Sequence, residues 1–508
     1  MPNRKFHNSG SGVHYTTVSQ NSFLEPTVYE LSVPDRSVKC LPDCDVPLTA
    51  LPDGIVREDN QLPQLSELDV IRHFLRLSQI NFGVDSGFYP LGSCTMKYNP
   101  KICEDIARIS GFKETHPLQT LDTVQGNLEL MFYLQNWLSQ IGGFEAVSLQ
   151  PSAGAHGELT ALLMMRAYNI DCGETNRNTV LVPDSAHGTN PASVTMAGFG
   201  VLEIPSDERG NIDLNALKAA CDHSVVCLMV TNPNTLGLFE DRIGEIVDIV
   251  HACGGLVYGD GANLNALTGI FRPGDVGIDA MHYNLHKTFG TPHGGGGPGA
   301  GPVAASNELK DYLPGPIVQN QSTKDEEDDK YQLIMPEKSI GRMSTYFGNF
   351  GMCVRAYTYI RMHGATGLRE NAEYAVLNAN YLREQLNDTY KVPFNRINMH
   401  EFVCQGKVPG SNVGAVDVSK RLMDFGFHPP TNYFPLIVRE ALMIEPTETE
   451  SKQTLDAFIE AMLQIAEEAI EKPEEILIAP HETPVSRLDE VKAARDLVLT
   501  DRFVNSPI

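Results

Sequence analysis

Lys287 follows the apolar run Met281-His282-Tyr283-Asn284-Leu285 and precedes Thr291-Pro292-His293 and the glycine block Gly294 to Gly297. Upstream, Val257-Tyr258-Gly259-Asp260-Gly261 sets an acid at the end of an expected buried strand. A surface lysine keeps its amine in water and needs no such flanking run. Asp-Gly alone is a common turn pair. Together the two residues point to pyridoxal 5'-phosphate, whose aldehyde a lysine amine can hold covalently and whose pyridine nitrogen pairs with a carboxylate. Lys287 is expected on a strand-like run, at a strand end facing Asp260.

Other stretches supply what that cofactor would need. Pro151-Ser152-Ala153-Gly154-Ala155-His156-Gly157 joins an expected strand to a helix through small residues. Free backbone N–H groups at a helix start hold a phosphate, which makes Ser152, Ala153, Gly154 and Ala155 its candidate cradle. His187, in Pro183-Asp184-Ser185-Ala186-His187-Gly188-Thr189-Asn190, offers a flat ring to stack on the pyridine. Thr231 ends another strand and suits the phenolic oxygen, while Ala262 and His286 flank the acid and the lysine. Gly297-Pro298-Gly299-Ala300-Gly301-Pro302 is not a dinucleotide loop, because its prolines and the strand-like Val303 run oppose the required helix. The loop Gly87 to Pro100 carries Ser93, Cys94 and Thr95, which could receive a small carboxylate, and Arg342 is a second, bidentate candidate.

Composition narrows the class. The chain has 508 residues, enough for two or three domains, and a formal net charge of −25. Nucleic acid is excluded as a partner, since its phosphates require basic surface, and an anionic membrane is disfavoured. No apolar run reaches the length of a membrane span. Of the ten cysteines only Cys40 and Cys44 are close, and no second pair completes a zinc site, so no metal is expected. Scattered thiols fit a reduced cytoplasmic setting. The first acid is Glu25, a weak presequence-like feature supported by Arg4 and Lys5 alone.

The elements that must position these residues alternate strand and helix. Val70, Phe74 and Leu77 mark an early helix on one face. Strands are expected from Val147, at 179–183, 200–204 and 225–231, and from Leu256 to Gly259. A helix with Leu159, Leu162 and Leu163 follows the first strand; a second, with Ile243, Ile246, Val247 and Val250, ends at Gly254-Gly255. This pattern implies an α/β fold with a large, mainly parallel sheet whose ligands collect at the carboxyl ends of the strands. Residues 1–60 read as an extended arm, 61–365 as the large cofactor-binding domain, and 366–508 as a small C-terminal α/β domain with strands near 399–404 and 441–445. The acidic run from Lys324 to Lys330 reads as a solvated loop.

Taken together these stretches resemble the glycine decarboxylase, or P-protein, family of the glycine cleavage system. The resemblance rests on Gly87 to Pro100, Leu149 to Glu158, Pro183 to Pro191, Thr231 to Gly237, Met281 to Pro302, Ser339 to Gly351 and Met399 to Phe402. His428-Pro429-Pro430-Thr431 and Met443 to Glu450 extend it, so that it covers roughly residues 28 to 470. The length resembles the lysine-bearing second subunit of the two-chain form. It implies a type I pyridoxal-phosphate fold, glycine as substrate, a lipoylated H-protein as acceptor, and a first subunit as partner in an α₂β₂ assembly. Lys287, Asp260 and His187 then carry the catalytic roles. Two other readings compete: a self-sufficient pyridoxal-phosphate decarboxylase or lyase for another amino acid, and a non-catalytic scaffold subunit.

Overall fold

The computed structural model describes residues 25–36, 42–52, 54–56, 62–294, 299–322 and 329–499, together with the backbone of two earlier strands. Cys40, Gly295 to Gly297 of the glycine block with Pro298, and most of the acidic run after Lys324 lie outside the described residues.

Two compact units make up the chain, one of residues 1–87 with 478–508 and one of residues 88–477. In the first, β1 (Arg4–Asn8) and β2 (Val13–Thr17) pair antiparallel, with Phe6 opposite Tyr15. A hairpin therefore stands within the stretch expected to be simply extended. The helix Glu67–Ile80 opens on a capping box between Ser66 and Asp69, which satisfies two of its free N–H groups. Its expected apolar face is not a buried seam, since Phe74 is 58% exposed and the buried position is His73. His73 Nδ1 lies 3.0 Å from Glu25 Oε1, and Arg76 grips the same carboxylate at 2.7 and 2.6 Å.

The second unit is built on a seven-stranded sheet: β3 (Ala146–Ser148), β4 (Thr179–Pro183), β5 (Gly200–Ile204), β6 (Val225–Thr231), β7 (Leu256–Asp260), β8 (Ala280–His282) and β9 (Val303–Ala305). Their spatial order is β3-β9-β8-β7-β6-β4-β5, parallel except for β9, which runs against both its neighbours. Every residue of β6 and β7 is buried, as helices on both faces require. Alternation assigns the faces: Leu181, Leu228 and Val257 pack in one core with Leu134 and Leu138, whereas Val180, Met229 and Tyr258 pack in the other with Leu162 and Met165. Each such buried side chain contributes about 1.5–3 kcal/mol. The helix Ile243–Ala252 buries Ile243, Ile246, Val247 and Val250, and Gly254 (φ +77) turns the chain into β7.

Beyond the sheet, β10 (Ile317–Asn320) and β11 (Tyr331–Ile334) form a hairpin. The helix Phe350–Leu386 runs across the boundary expected at 365–366, with a break at Gly364 (φ 62, ψ −175). A smaller antiparallel sheet follows, β12 (Phe402–Gln405), β13 (Thr431–Asn432) and β14 (Ala441–Ile444), in the order β12-β14-β13. The helices Ala415–Asp424 and Lys452–Glu471 cover it around Phe402, Leu442, Ile444, Phe458 and Met462. Among the described residues, no helix is long and apolar enough to cross a membrane.

Candidate active site

The carboxyl ends of β4, β6, β7 and β8 and the start of the helix Gly154–Asp171 surround a cavity of about 170 Å³. Ser93, Gly154, Ala155, His187, Thr231, Asp260, Ala262, His286 and Lys287 line it, residues drawn from six separate stretches of chain. Parallel strands end together there, so loops distant in sequence meet. Lys287 is placed differently from the sequence expectation. It sits in a single helical turn, Leu285–Thr288, after β8 rather than on a strand-like run. The turn forms because Asn284 O accepts from both Lys287 N–H (3.0 Å) and Thr288 N–H (3.2 Å). The apolar flank serves to anchor that turn, with Tyr283 and Leu285 both fully buried.

Asp260 ends β7 at 5% exposure. Ala262 N–H donates to its Oδ1 at 2.9 Å, Asn190 Nδ2 to its Oδ2 at 3.1 Å, and His282 Nε2 lies 3.6 Å away. Burial alone would raise this carboxyl, but His282, Asn190, Ala262 and Lys287 outweigh it and hold the group below the usual carboxylate range. The acid is therefore a buried negative charge, suited to a cationic partner.

His187 is exposed, and its Nδ1 lies 2.9 Å from Thr189 Oγ1, which in turn donates to Glu158 Oε1 at 2.8 Å. Glu158 Oε2 also accepts from Asn190 Nδ2 and Ser193 Oγ, each at 3.1 Å. A buried carboxylate thus fixes the imidazole plane through one hydroxyl. Glu158, Thr189, Asn190, Thr235, His282 and Asn284 complete the site and were not singled out from the sequence. An acid on the otherwise apolar face of the helix after Gly154, and a histidine at the end of a buried strand, were the available signals.

A pyridoxal phosphate fits these residues. The helix Gly154–Asp171 has no side-chain cap at Ala153, so its first N–H groups are available to an anion. A Cβ on Gly301 would stand 2.0 Å from Ala153 O, so the backbone there admits glycine alone, and one on Gly154 would stand 2.4 Å from Asn284 Nδ2 and push that side chain aside. Thr231 Oγ1 is buried without a partner and lines the cavity. His286 is pushed down to about 3 by burial and by His293 and Lys287, and is neutral near pH 7. Ser152 and Ala153 lead into the cradle.

Ser93 reaches the cavity from a loop in which Ser93 (φ 64) and Thr95 (φ 50) are both left-handed. Cys94 stands between them, its thiol pushed up to about 11 by burial against the opposing pull of Lys287, so it is no thiolate at neutral pH. Lys97 is 3% exposed and tied to Glu448 Oε1 (2.6 Å), Asn265 Oδ1 (2.7 Å) and Thr288 O (2.9 Å), which makes it a brace rather than a ligand-binding amine. Arg342 is exposed and is not among the residues lining the cavity.

Residues 371–485 match the family model described as the C-terminal domain of glycine dehydrogenase. The probable glycine dehydrogenase (decarboxylating) subunit 2 of Caldanaerobacter subterraneus subsp. tengcongensis is 56% identical over 93% of this chain and 98% of its own. That of Staphylococcus haemolyticus is 54% identical over 93% and 96%. Among solved structures, an inhibitor-bound glycine decarboxylase (P-protein) of the glycine cleavage system superposes with a TM-score of 0.67 at 22% identity, over 86% of this chain and 94% of that one. An Oryza sativa protein solved with PLP and tryptamine gives 0.62 at 16% identity, over 84% and 90%. The fold is the type I fold of pyridoxal-phosphate enzymes, and, by relatives that match nearly end to end at more than half identity, the chain belongs to the glycine dehydrogenase (decarboxylating) subunit 2 family.

Proposed function

We propose that this chain decarboxylates glycine and passes the remaining aminomethyl group to the lipoyl group of an H-protein, with pyridoxal 5'-phosphate held on Lys287. The convergence of Lys287, Asp260 and His187 on one cavity carries this reading. Bound there, the cofactor supplies the electron sink that lets the carboxylate leave as carbon dioxide. Asp260 presents a fixed negative charge to the ring nitrogen. His187, oriented through Thr189 and Glu158, presents its ring face; Thr231 offers a free hydroxyl; and the N–H groups after Ala153 receive the phosphate. Ser93 and the backbone of its loop are the contacts for the small carboxylate of glycine, with Cys94 and Thr95 shaping the turn.

The partner is a first subunit in an α₂β₂ assembly. The relatives' designation as subunit 2 supports this, as do large apolar side chains left in water, among them Leu48 (86% exposed), Leu436 (85%) and Met196 (75%). A cytoplasmic setting fits the free cysteines of the described residues. The test is glycine-dependent exchange of labelled bicarbonate by the chain alone, with its first subunit, and with lipoylated H-protein added. Exchange is expected only when all three are present. Full turnover by the isolated chain, or turnover of another amino acid without H-protein, would refute the assignment.

A further inference from the structure

Beside the lysine lies a group of buried ionisable side chains that none of the roles above uses. The register that pairs Phe402 with Ile444 sets Glu401, just before β12, opposite Glu445, just after β14. Glu401, Glu445 and the adjoining His400 are all 0% exposed. One side-chain N or O from each lies within 4.8 Å of the others, and His400 Nε2 is 3.8 Å from Glu445 Oε1.

Each carboxylate holds the Ser93 loop by its backbone. Glu401 Oε2 accepts from Ser93 N–H at 2.7 Å, and Glu445 Oε2 accepts from Thr95 N–H at 2.9 Å. These are the two residues of this loop with left-handed φ, a conformation that side chains other than glycine adopt only when their surroundings impose it. The loop is further tied to the small sheet by a bridge between Leu91 and Ile444 and by Glu445 N–H donating to Pro90 O at 3.2 Å. Asn263 Nδ2 approaches Glu401 Oε1 at 3.3 Å. Three of the four carboxylate oxygens therefore accept an N–H. The fourth, Glu445 Oε1, accepts no hydrogen bond of good geometry, and neither nitrogen of His400 makes one, although the Thr95 side chain also acts on the Glu445 carboxylate.

The charges facing the pair do not balance two bare carboxylates. His400 is pushed down to about 3 by burial and is neutral. Cys94 keeps its proton, and Lys97 is committed to Glu448 at 2.6 Å. Among the described residues, Lys287 is the cation whose field lowers both acids. Burial raises both carboxyls, Glu445 to about 7, and the charge of Glu445 raises Glu401 further.

We propose that Glu401 and Glu445 share a single proton, seated at Glu445 Oε1, and that this singly charged pair is the positioning device that holds Ser93, Cys94 and Thr95 in their turn beside Lys287. The pair acts through the loop and touches neither cofactor nor substrate. A carboxyl raised in the fold stabilises it most below the unfolded value of about 4.3, and that contribution is lost as pH rises through the folded value.

The first test is the melting temperature of the full-length chain over about pH 5 to 8. It does not depend on the proposed activity. Glu445→Gln, which places an N–H where the shared hydrogen sits, should melt with a shallower fall across that window than the native chain. The second test rests on the proposed function and uses the complete assembly with lipoylated H-protein. Glu445→Ala should raise KM for glycine about ten-fold or more by freeing the loop, and Glu445→Gln should recover most of that loss with a displaced alkaline limb. A pH slope identical to the native one, or Gln and Ala variants impaired alike, would overturn the shared proton. So would one equivalent of divalent metal in the purified chain that Glu445→Gln lacks. A native assembly that does not turn over glycine would count against the proposed function and leave the melting result standing.

Discussion

Asn190 joins two buried acids with one amide: its Nδ2 is 3.1 Å from Asp260 Oδ2 and 3.1 Å from Glu158 Oε2. The two hydrogens of that nitrogen are thus divided between the carboxylate proposed to face the pyridine and the one that orients His187 through Thr189. Replacing Asn190 with Ala leaves both acids short of a donor inside the protein. A loss of about 1–3 kcal/mol in stability is expected, with weaker cofactor retention as the Asp260 carboxyl rises. Denaturant unfolding and cofactor titration measure the two effects, and native-like values in both would show the amide to be incidental.

Lys287→Ala should abolish turnover and the covalent hold on pyridoxal phosphate, while changing stability by less than about 1 kcal/mol, because the buried Tyr283 and Leu285 anchor the turn. Borohydride reduction followed by peptide mapping should find the cofactor on Lys287 in the native chain. A label on Lys97 would contradict the brace that its four hydrogen bonds describe.

Asp260→Asn keeps the volume and can still accept from Ala262, but removes the charge proposed to face the ring nitrogen. Cofactor should remain bound and the rate of carbon dioxide release should fall on the order of 10²-fold, since the lost interaction strengthens in the transition state. A rate within a few-fold of native would assign the charge to another acid.

Lys97→Met leaves Glu448, its side chain 5% exposed and also accepting from Asn265 at 3.1 Å and from the Tyr359 hydroxyl at 3.4 Å, without its cation. Breaking such a pair costs about 3–5 kcal/mol, and Glu448→Gln in the same chain should restore part of it. Urea midpoints of the single and double variants decide this: equal losses in both would mean that the pair does not act as a unit.

The sequence by itself determined the sheet and which polar groups stand at its carboxyl edge. Apolar runs at 225–231 and 256–260 could be stable only with both faces covered, and that forced a parallel sheet with Thr231 and Asp260 at adjacent carboxyl ends. Lys287, His187 and the small residues around Gly154 were legible for the same reason, as polar or minimal side chains where the apolar pattern stops. Tertiary structure decided the rest. Periodicity over a few residues does not register hydrogen bonds such as those to Asn284 O that wind Lys287 into a helical turn, nor the exposure of Phe74 on a helix whose buried residue is His73. Glu158 and Thr189 act on His187 only because a helix start and a strand end converge across the sheet. Glu401 and Glu445, 44 residues apart by their numbers, became neighbours through the antiparallel register of β12 and β14. A chain read one residue at a time shows which groups need burial or a partner. Which groups share one dry space is settled by packing, where a carboxylate must find its donor, its cation or its proton among residues brought there by the fold.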